Sequence, residues 1–402
     1  GVGLLALVVW LQMRPAPLMP EVPRDITPVF IERGAQLARA GNCLACHTAR
    51  GGEPGAGGRG VATPFGTVVS SNLTPHATGL GGWSAAEFYR ALHHGQSKDG
   101  RLLYPAFPYN HTTLLTREDS DALHAWLQTL APVDQPNRPH VLRFPADQPA
   151  ALALWRALYF TPGEYQADSS RSAEWNRGAY LVNGVAHCAA CHGARNALGG
   201  PGQALGGGPM PDGRWWAPSL RDLAEGGMQG WTTDEVVALL RIGRNAHASV
   251  LGPMAEVVHQ GTQHVNEADL RAMAVYLQDL APAPAARAPF EAAEDTVLAL
   301  GGRLYETHCA DCHGAQGEGA VGAYPPLAGR RAVTMASPVN LLQVVLGGGF
   351  GAGTAAHPRP YGMPPYRSQL TDAEIAAVAS FVRQSWGNRA GAVSALDVQR
   401  VR

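Results

Sequence analysis

The chain has 402 residues, enough for about two to four domains of ordinary size. Apolar residues make up 46%, which excludes a disordered chain, and 48 glycines with 31 prolines point to a loop-rich one. Basic and acidic residues number 31 and 32, so the net charge is −1 and nothing argues for nucleic acid as a partner.

The first twelve residues, GVGLLALVVWLQ, are almost wholly apolar. As a helix they would run roughly 18 Å, short of the roughly 30 Å hydrocarbon core of a bilayer. Residues 1–13 therefore read as the outer part of a transmembrane anchor, with the remnant of a secretory signal as the alternative.

Beyond this segment one module recurs three times. Each copy opens on a short helical pattern containing glycine: IERGAQLARAGNC, WNRGAYLVNGVAHC and LALGGRLYETHC. Each closes on an amphipathic helix, and the three closing stretches align without gaps at 115–130, 265–280 and 370–385. Their second position is Thr116, Asn266 or Thr371, each a good N-cap, followed by acidic residues in the first turn. Their twelfth is Trp126, Tyr276 or Phe381, which reads as core packed on the opening helix of the same copy. The domains are thus expected at 28–131, 172–281 and 292–387. A proline-rich connector lies at 132–171, a short linker at 282–291 and a tail without usable pattern at 388–402. Trp155 and Tyr159 of the connector are expected in a contact between domains.

All six cysteines fall in three Cys-x-x-Cys-His motifs: Cys43 and Cys46 before His47, Cys188 and Cys191 before His192, Cys309 and Cys312 before His313. None remains for a disulfide framework. The motif is the attachment signature of c-type haem: two thiols on one turn form thioethers to the vinyl groups, and the histidine becomes the proximal iron ligand. A structural zinc site wants four ligands, which three separated pairs fit poorly. The expectation is three covalently bound haem c groups.

Methionine as the sixth ligand raises the potential of such a haem. Met254 lies 62 residues after His192, and Met363 lies 50 after His313, both in loops before a closing helix. Met273 sits on the apolar side of a closing helix and reads as core. Met335 precedes a helical run, and Met210 and Met228 lie in glycine-rich loops. The first copy has no methionine, since none occurs between Met19 and Met210. In LLYPAFPYNH the corresponding position is Phe107, which cannot bind iron. Its haem is closed by a histidine or another nitrogen ligand, or it stays open. His111, 64 residues after His47, is the leading histidine, with His76, His93, His94 and His124 as competitors. The GGG runs at 206–208 and 347–349 lack a Walker lysine or a Rossmann setting and read as haem-edge loops. No Ser-His-Asp or paired-carboxylate constellation stands out.

The stretches NCLACHTARGG, TPFGTVVSSNLTP, GGWSAAEFYRAL, DGRLLYPAFPY, SAEWNRGAYLVNGVAHCAACHGARNALGG, GRNAHASVLGPMAEVV and YGMPPYRSQLTDAEIAAVASFV resemble the triple-haem cytochrome c subunits of bacterial membrane-bound dehydrogenases. The resemblance spans about residues 31 to 386. It implies a mainly α fold of three tandem class I-like cytochrome c domains after an N-terminal membrane helix, on the periplasmic face of the inner membrane. It also implies an electron-transfer subunit without its own substrate site. Such subunits pass electrons from a catalytic dehydrogenase subunit to ubiquinone or the respiratory chain. YPAFPY, with phenylalanine at 107, is most similar to the type paired with molybdopterin and iron–sulfur subunits that oxidise aldehydes or N-heterocycles. The alternatives are the cytochrome subunit of a PQQ alcohol or flavin sugar dehydrogenase, and a peroxidase-like haem enzyme with an open first haem.

Overall fold

The computed structural model describes residues 2–283 and 290–402; Gly1 and positions 284–289 of the expected linker lie outside the described residues. The chain divides into two compact units, one of residues up to Ala204 with Gln260–Tyr276, the other Leu205–His259 with Leu277–Arg402. The division falls inside the second copy of the repeat.

The opening helices are Pro28–Ala40, Ala173–Asn183 and Asp295–His308, and the closing helices are Arg117–Leu127, Glu267–Gln278 and Asp372–Gln384. Their starts follow from local chemistry. Thr27 and Ser172 accept from the backbone N–H three residues on, and Pro28 occupies the first helical position, where its missing N–H costs nothing. Thr116 accepts from Asp119 N at 3.2 Å and Asn266 from Asp269 N at 2.9 Å. Thr371 and Glu374 form a reciprocal capping box.

The two helices of each repeat cross at a glycine. A Cβ built on Gly34 would lie 2.0 Å from the Ala122 carbonyl oxygen, one on Gly178 1.9 Å from that of Ala272, and one on Gly301 2.2 Å from that of Ala377. Only a hydrogen permits this approach. The aromatic at the fixed position flanks each crossing, its Cβ 2.9, 2.9 or 2.7 Å from the same virtual atom for Trp126, Tyr276 and Phe381. The repeated aromatic is therefore a packing residue of the helix pair.

In the first unit the strands β1 (Gly60–Thr63), β2 (Gly66–Val69) and β3 (Val141–Leu142) form an antiparallel sheet in the order β1-β2-β3. The connector supplies β3 and then the helix Pro149–Tyr159, which packs along Val2–Met13. Trp155 Nε1 donates to Leu198 O at 2.9 Å, and Asn196 Nδ2 donates to the Tyr159 hydroxyl at 3.2 Å. Both aromatics thus reach the loop behind the second Cys motif. The apolar N-terminal segment is helical as expected, but Val2–Met13 has 12 residues. No helix among the described residues is long and apolar enough to cross a membrane.

In the second unit each GGG run leads into a two-residue hairpin, Gly208–Pro209 on Trp216–Ala217 and Gly349–Phe350 on Gly362–Met363. Leu342, Leu346, Ile375, Ala379 and Val398 form one buried cluster. Val398 belongs to a tail helix, Ala395–Val401, that the sequence reading missed. Its signal was present: Ser394 and Asp397 form a capping box, and Arg402 Nε bonds Asp372 Oδ1 at 2.5 Å.

Candidate haem sites

The three motifs fold alike. The N–H of His47 donates to Cys43 O at 3.0 Å, that of His192 to Cys188 O at 2.8 Å, and that of His313 to Cys309 O at 2.9 Å. One helical turn thus brings both thiols and the histidine together. No disulfide joins any of the six cysteines among the described residues. Burial first, and then the neighbouring thiol, push the leading cysteine of each pair up, to about 12 for Cys43 and Cys188 and about 11 for Cys309. They are neutral thiols at physiological pH.

His47 Nδ1 lies 2.7 Å from Ser71 O, and His313 Nδ1 lies 2.9 Å from Pro325 O. A carbonyl only accepts, so Nδ1 carries the proton and Nε2 keeps a lone pair for a metal. Burial holds both histidines below their ordinary range, against the opposing pull of the backbone hydrogen bond. His192 is half-buried on the turn Ala189–His192.

Met363 is half-buried on the strand Gly362–Met363 and touches the Leu342 cluster. Its loop is fastened to the third motif at two points. Tyr366 donates to His308 O at 2.6 Å, and the Tyr361 ring lies 5.1 Å from that of Tyr324, whose hydroxyl bonds Cys312. Met254 is the second residue of the helix Pro253–Gln260 and half-buried. Met228, Met273 and Met335 are buried in the core, as packing residues should be.

In the first repeat the Phe107 ring sits edge-on to Tyr109 at 6.4 Å. His111 lies on the turn Tyr109–Thr112, its Nδ1 donating to Asn183 O at 3.0 Å. Burial first, then His187 and Arg195, lower its pKa to about 4. It is held as His47 and His313 are. Among its competitors, His93 Nδ1 bonds Thr113 O at 2.8 Å, His76 Nδ1 bonds Thr78 Oγ1 at 2.9 Å, and His124 Nε2 meets Gln128 at 3.1 Å. His94 sits edge-on to His93 at 4.7 Å.

Two arginines escaped the sequence reading. Arg59 Nη1 donates to Ala45 O at 2.6 Å and Arg195 Nη2 donates to Ala190 O, the same position inside each Cys-x-x-Cys. They stand at different spacings from their cysteines, so periodicity could not find them. Arg195 Nη1 is a buried donor without an acceptor. Burying such donors is costly unless an acid group meets them. Paired thiols, imidazoles held by Nδ1 with Nε2 open, and an orphaned arginine donor beside the second motif fit a covalently held, carboxylate-bearing, iron-centred ring.

The cytochrome c family pattern matches residues 31–131, 176–281 and 298–386. The chain is 37% identical over 400 residues to the alcohol dehydrogenase (quinone) cytochrome c subunit of Gluconacetobacter polyoxogenes, covering 94% of this chain and 85% of the relative. It is 40% identical over 392 residues to one subunit of the nicotinate dehydrogenase of Pseudomonas putida, covering 95% of this chain and 32% of the relative. To the gluconate 2-dehydrogenase cytochrome c subunit of Pantoea cypripedii it is 36% identical over 395 residues, covering 93% and 89%.

Proposed function

The chain belongs to the cytochrome c family, and from that membership we propose that it is the electron-transfer subunit of a membrane-bound dehydrogenase complex in the periplasm, relaying electrons through three covalent haem c groups. The observation that carries this is the threefold motif, each copy closing two thiols outside any disulfide and a histidine onto one turn. Each bound haem supplies a one-electron iron couple. The chain's own residues do the rest. Cys43 with Cys46, Cys188 with Cys191 and Cys309 with Cys312 anchor the rings. His47, His192 and His313 would ligate the irons, and the Ser71 and Pro325 carbonyls orient two of them. The three domains are assigned to residues 28–131, 172–281 and 292–387.

Met363 would be the second iron ligand of the third site and Met254, on its sequence spacing alone, that of the second. His111 closes the first, which the carbonyl-locked Nδ1 supports because it frees Nε2. Nitrogen in place of sulfur puts that site at the lowest potential of the three.

The chain carries no substrate site of its own, so a catalytic dehydrogenase subunit is the electron donor and ubiquinone or the respiratory chain the acceptor. The favoured donor is a molybdopterin subunit with an iron–sulfur subunit, oxidising an aldehyde or N-heterocycle. The absence of methionine at Phe107 and the 40% identity to a nicotinate dehydrogenase subunit support it. A PQQ or flavin donor is the second reading, favoured by relatives matched along most of their length. The exposed apolar side chains of Leu4, Leu5, Leu7, Trp10 and Leu11 support a membrane tether at the N-terminal helix. Gentle solubilisation, haem counting and metal analysis of the co-purifying large subunit test the whole reading. Three haems per chain and molybdenum in the partner are expected. PQQ or flavin there overturns the choice of donor, and fewer than three haems overturns the relay.

A further inference from the structure

His187 has no part in the haem-binding roles above, yet its placement is unusual. It immediately precedes Cys188 and holds φ +39, a left-handed conformation uncommon for a residue with a side chain. Its Nε2 lies 3.1 Å from the carbonyl oxygen of Gly41, 146 residues away and two before Cys43. The carbonyl accepts, so Nε2 carries the proton. The approach is tight: a Cβ on Gly41 would lie 3.0 Å from Val185 O and 3.3 Å from Cys43 Sγ. Asn42, in the same place before its own cysteine, is also left-handed at φ +49, whereas His308 before Cys309 is helical. The first two motifs are therefore stitched back to back at their leading cysteines. Strain of this kind persists where surrounding structure enforces it, and functional sites are where it gathers.

We propose that the Gly41–His187 hydrogen bond is the electron bridge between the first and second haem sites. The route runs through backbone from Cys43 to Gly41, across one hydrogen bond, and through the His187–Cys188 peptide to the second thioether. One electron leaves ferrous iron at one end and reduces ferric iron at the other. No bond is made or broken, and the Nε2 proton stays on His187. His187 is thus a positioning residue, acting through Gly41 and the two cysteines. The inference rests on the relay reading of the three motifs.

The test follows redistribution of a single electron after flash reduction of the haem-loaded full chain. His187→Phe keeps an aromatic ring at this position but removes the donor. Exchange between the first two sites should slow severalfold, with haem content, absorption spectrum and all midpoint potentials unchanged. His187→Gln restores an N–H of similar reach and should recover the rate. An unchanged rate in His187→Phe overturns the bridge, as does slowing that His187→Gln fails to reverse or that merely follows shifted potentials. If the unaltered chain holds three haems but passes no electron between the first two, the relay reading itself fails instead.

Discussion

A Cβ on Gly348 would lie 2.4 Å from the carbonyl oxygen of Met363. Gly348 holds φ +61 and Gly349 holds φ +147, and Gly349 pairs directly with Met363. Glycine alone adopts both conformations without strain. The run at 347–349 is therefore what lets the helix Val339–Gly347 stop and a strand lie flat against the methionine. Gly207 and Gly208 repeat the device at φ +73 and +148, with a Cβ on Gly207 2.4 Å from Ser219 N.

Gly348→Ala should thus displace Met363 at its backbone. With Met363 as the iron's sulfur ligand, the midpoint potential of one haem falls while the other two hold. Overpacking of this kind also lowers stability by about 1–3 kcal/mol. A redox titration reads the first effect and denaturant unfolding the second. Three unmoved potentials in a destabilised variant would remove Met363 from the iron.

His111 offers the opposite experiment. His111→Met should raise the lowest of the three potentials, because sulfur replaces nitrogen at the first iron. His111→Ala should open that site, so that the ferrous protein binds carbon monoxide at one haem where the unaltered chain binds it at none. Rapid carbon monoxide binding by the unaltered chain would mean an open first haem and favour the peroxidase-like alternative.

The helix crossings predict a graded stability series. Gly178→Ala drives a methyl into the Ala272 carbonyl and should cost about 1–3 kcal/mol or more, since backbone cannot step aside. Gly302→Ala meets only the Phe381 ring, at 3.2 Å, and should cost less. Gly163→Ala points into open space and should stay within about 0.5 kcal/mol of the parent. Denaturation midpoints of the haem-loaded chain order the three. Equal midpoints would mean the crossings are not under steric control.

The closing helices were legible in the sequence because everything that starts them is local: Thr116, Asn266 and Thr371 cap within three residues, and the apolar stripe recurs at helical period. The Cys motifs were legible for the same reason, a turn of five residues. What the sequence hid is long-range. The Gly41–His187 bond joins positions 146 apart, and Arg195 finds Ala190 at a spacing unlike that of Arg59 and Ala45. Strands of two residues, such as Val141–Leu142, are too short to show alternation. The tail helix was missed for lack of length, although its Ser394–Asp397 box was written in the chain.

The capping boxes set an acid limit on the closing and neighbouring helices. Backbone hydrogen bonding within the box, to Thr371 for Glu374 and Thr232 for Glu235, lowers both carboxyls below their ordinary value of 4.5. A group whose folded pKa is depressed adds stability above its unfolded pKa and loses it as pH falls through the folded one. The contribution of Glu374 is therefore complete above about pH 4.5 and fades below it. Thr371→Ala breaks the box at every pH and should cost about 1 kcal/mol. Glu374→Gln keeps an acceptor for the Thr371 N–H without the charge, so it should leave neutral stability nearly intact and flatten the acid limb of the stability profile. Unfolding curves taken between neutral pH and the acid limb decide it: parallel limbs in Glu374→Gln and the parent would show that this carboxylate does not sense acid.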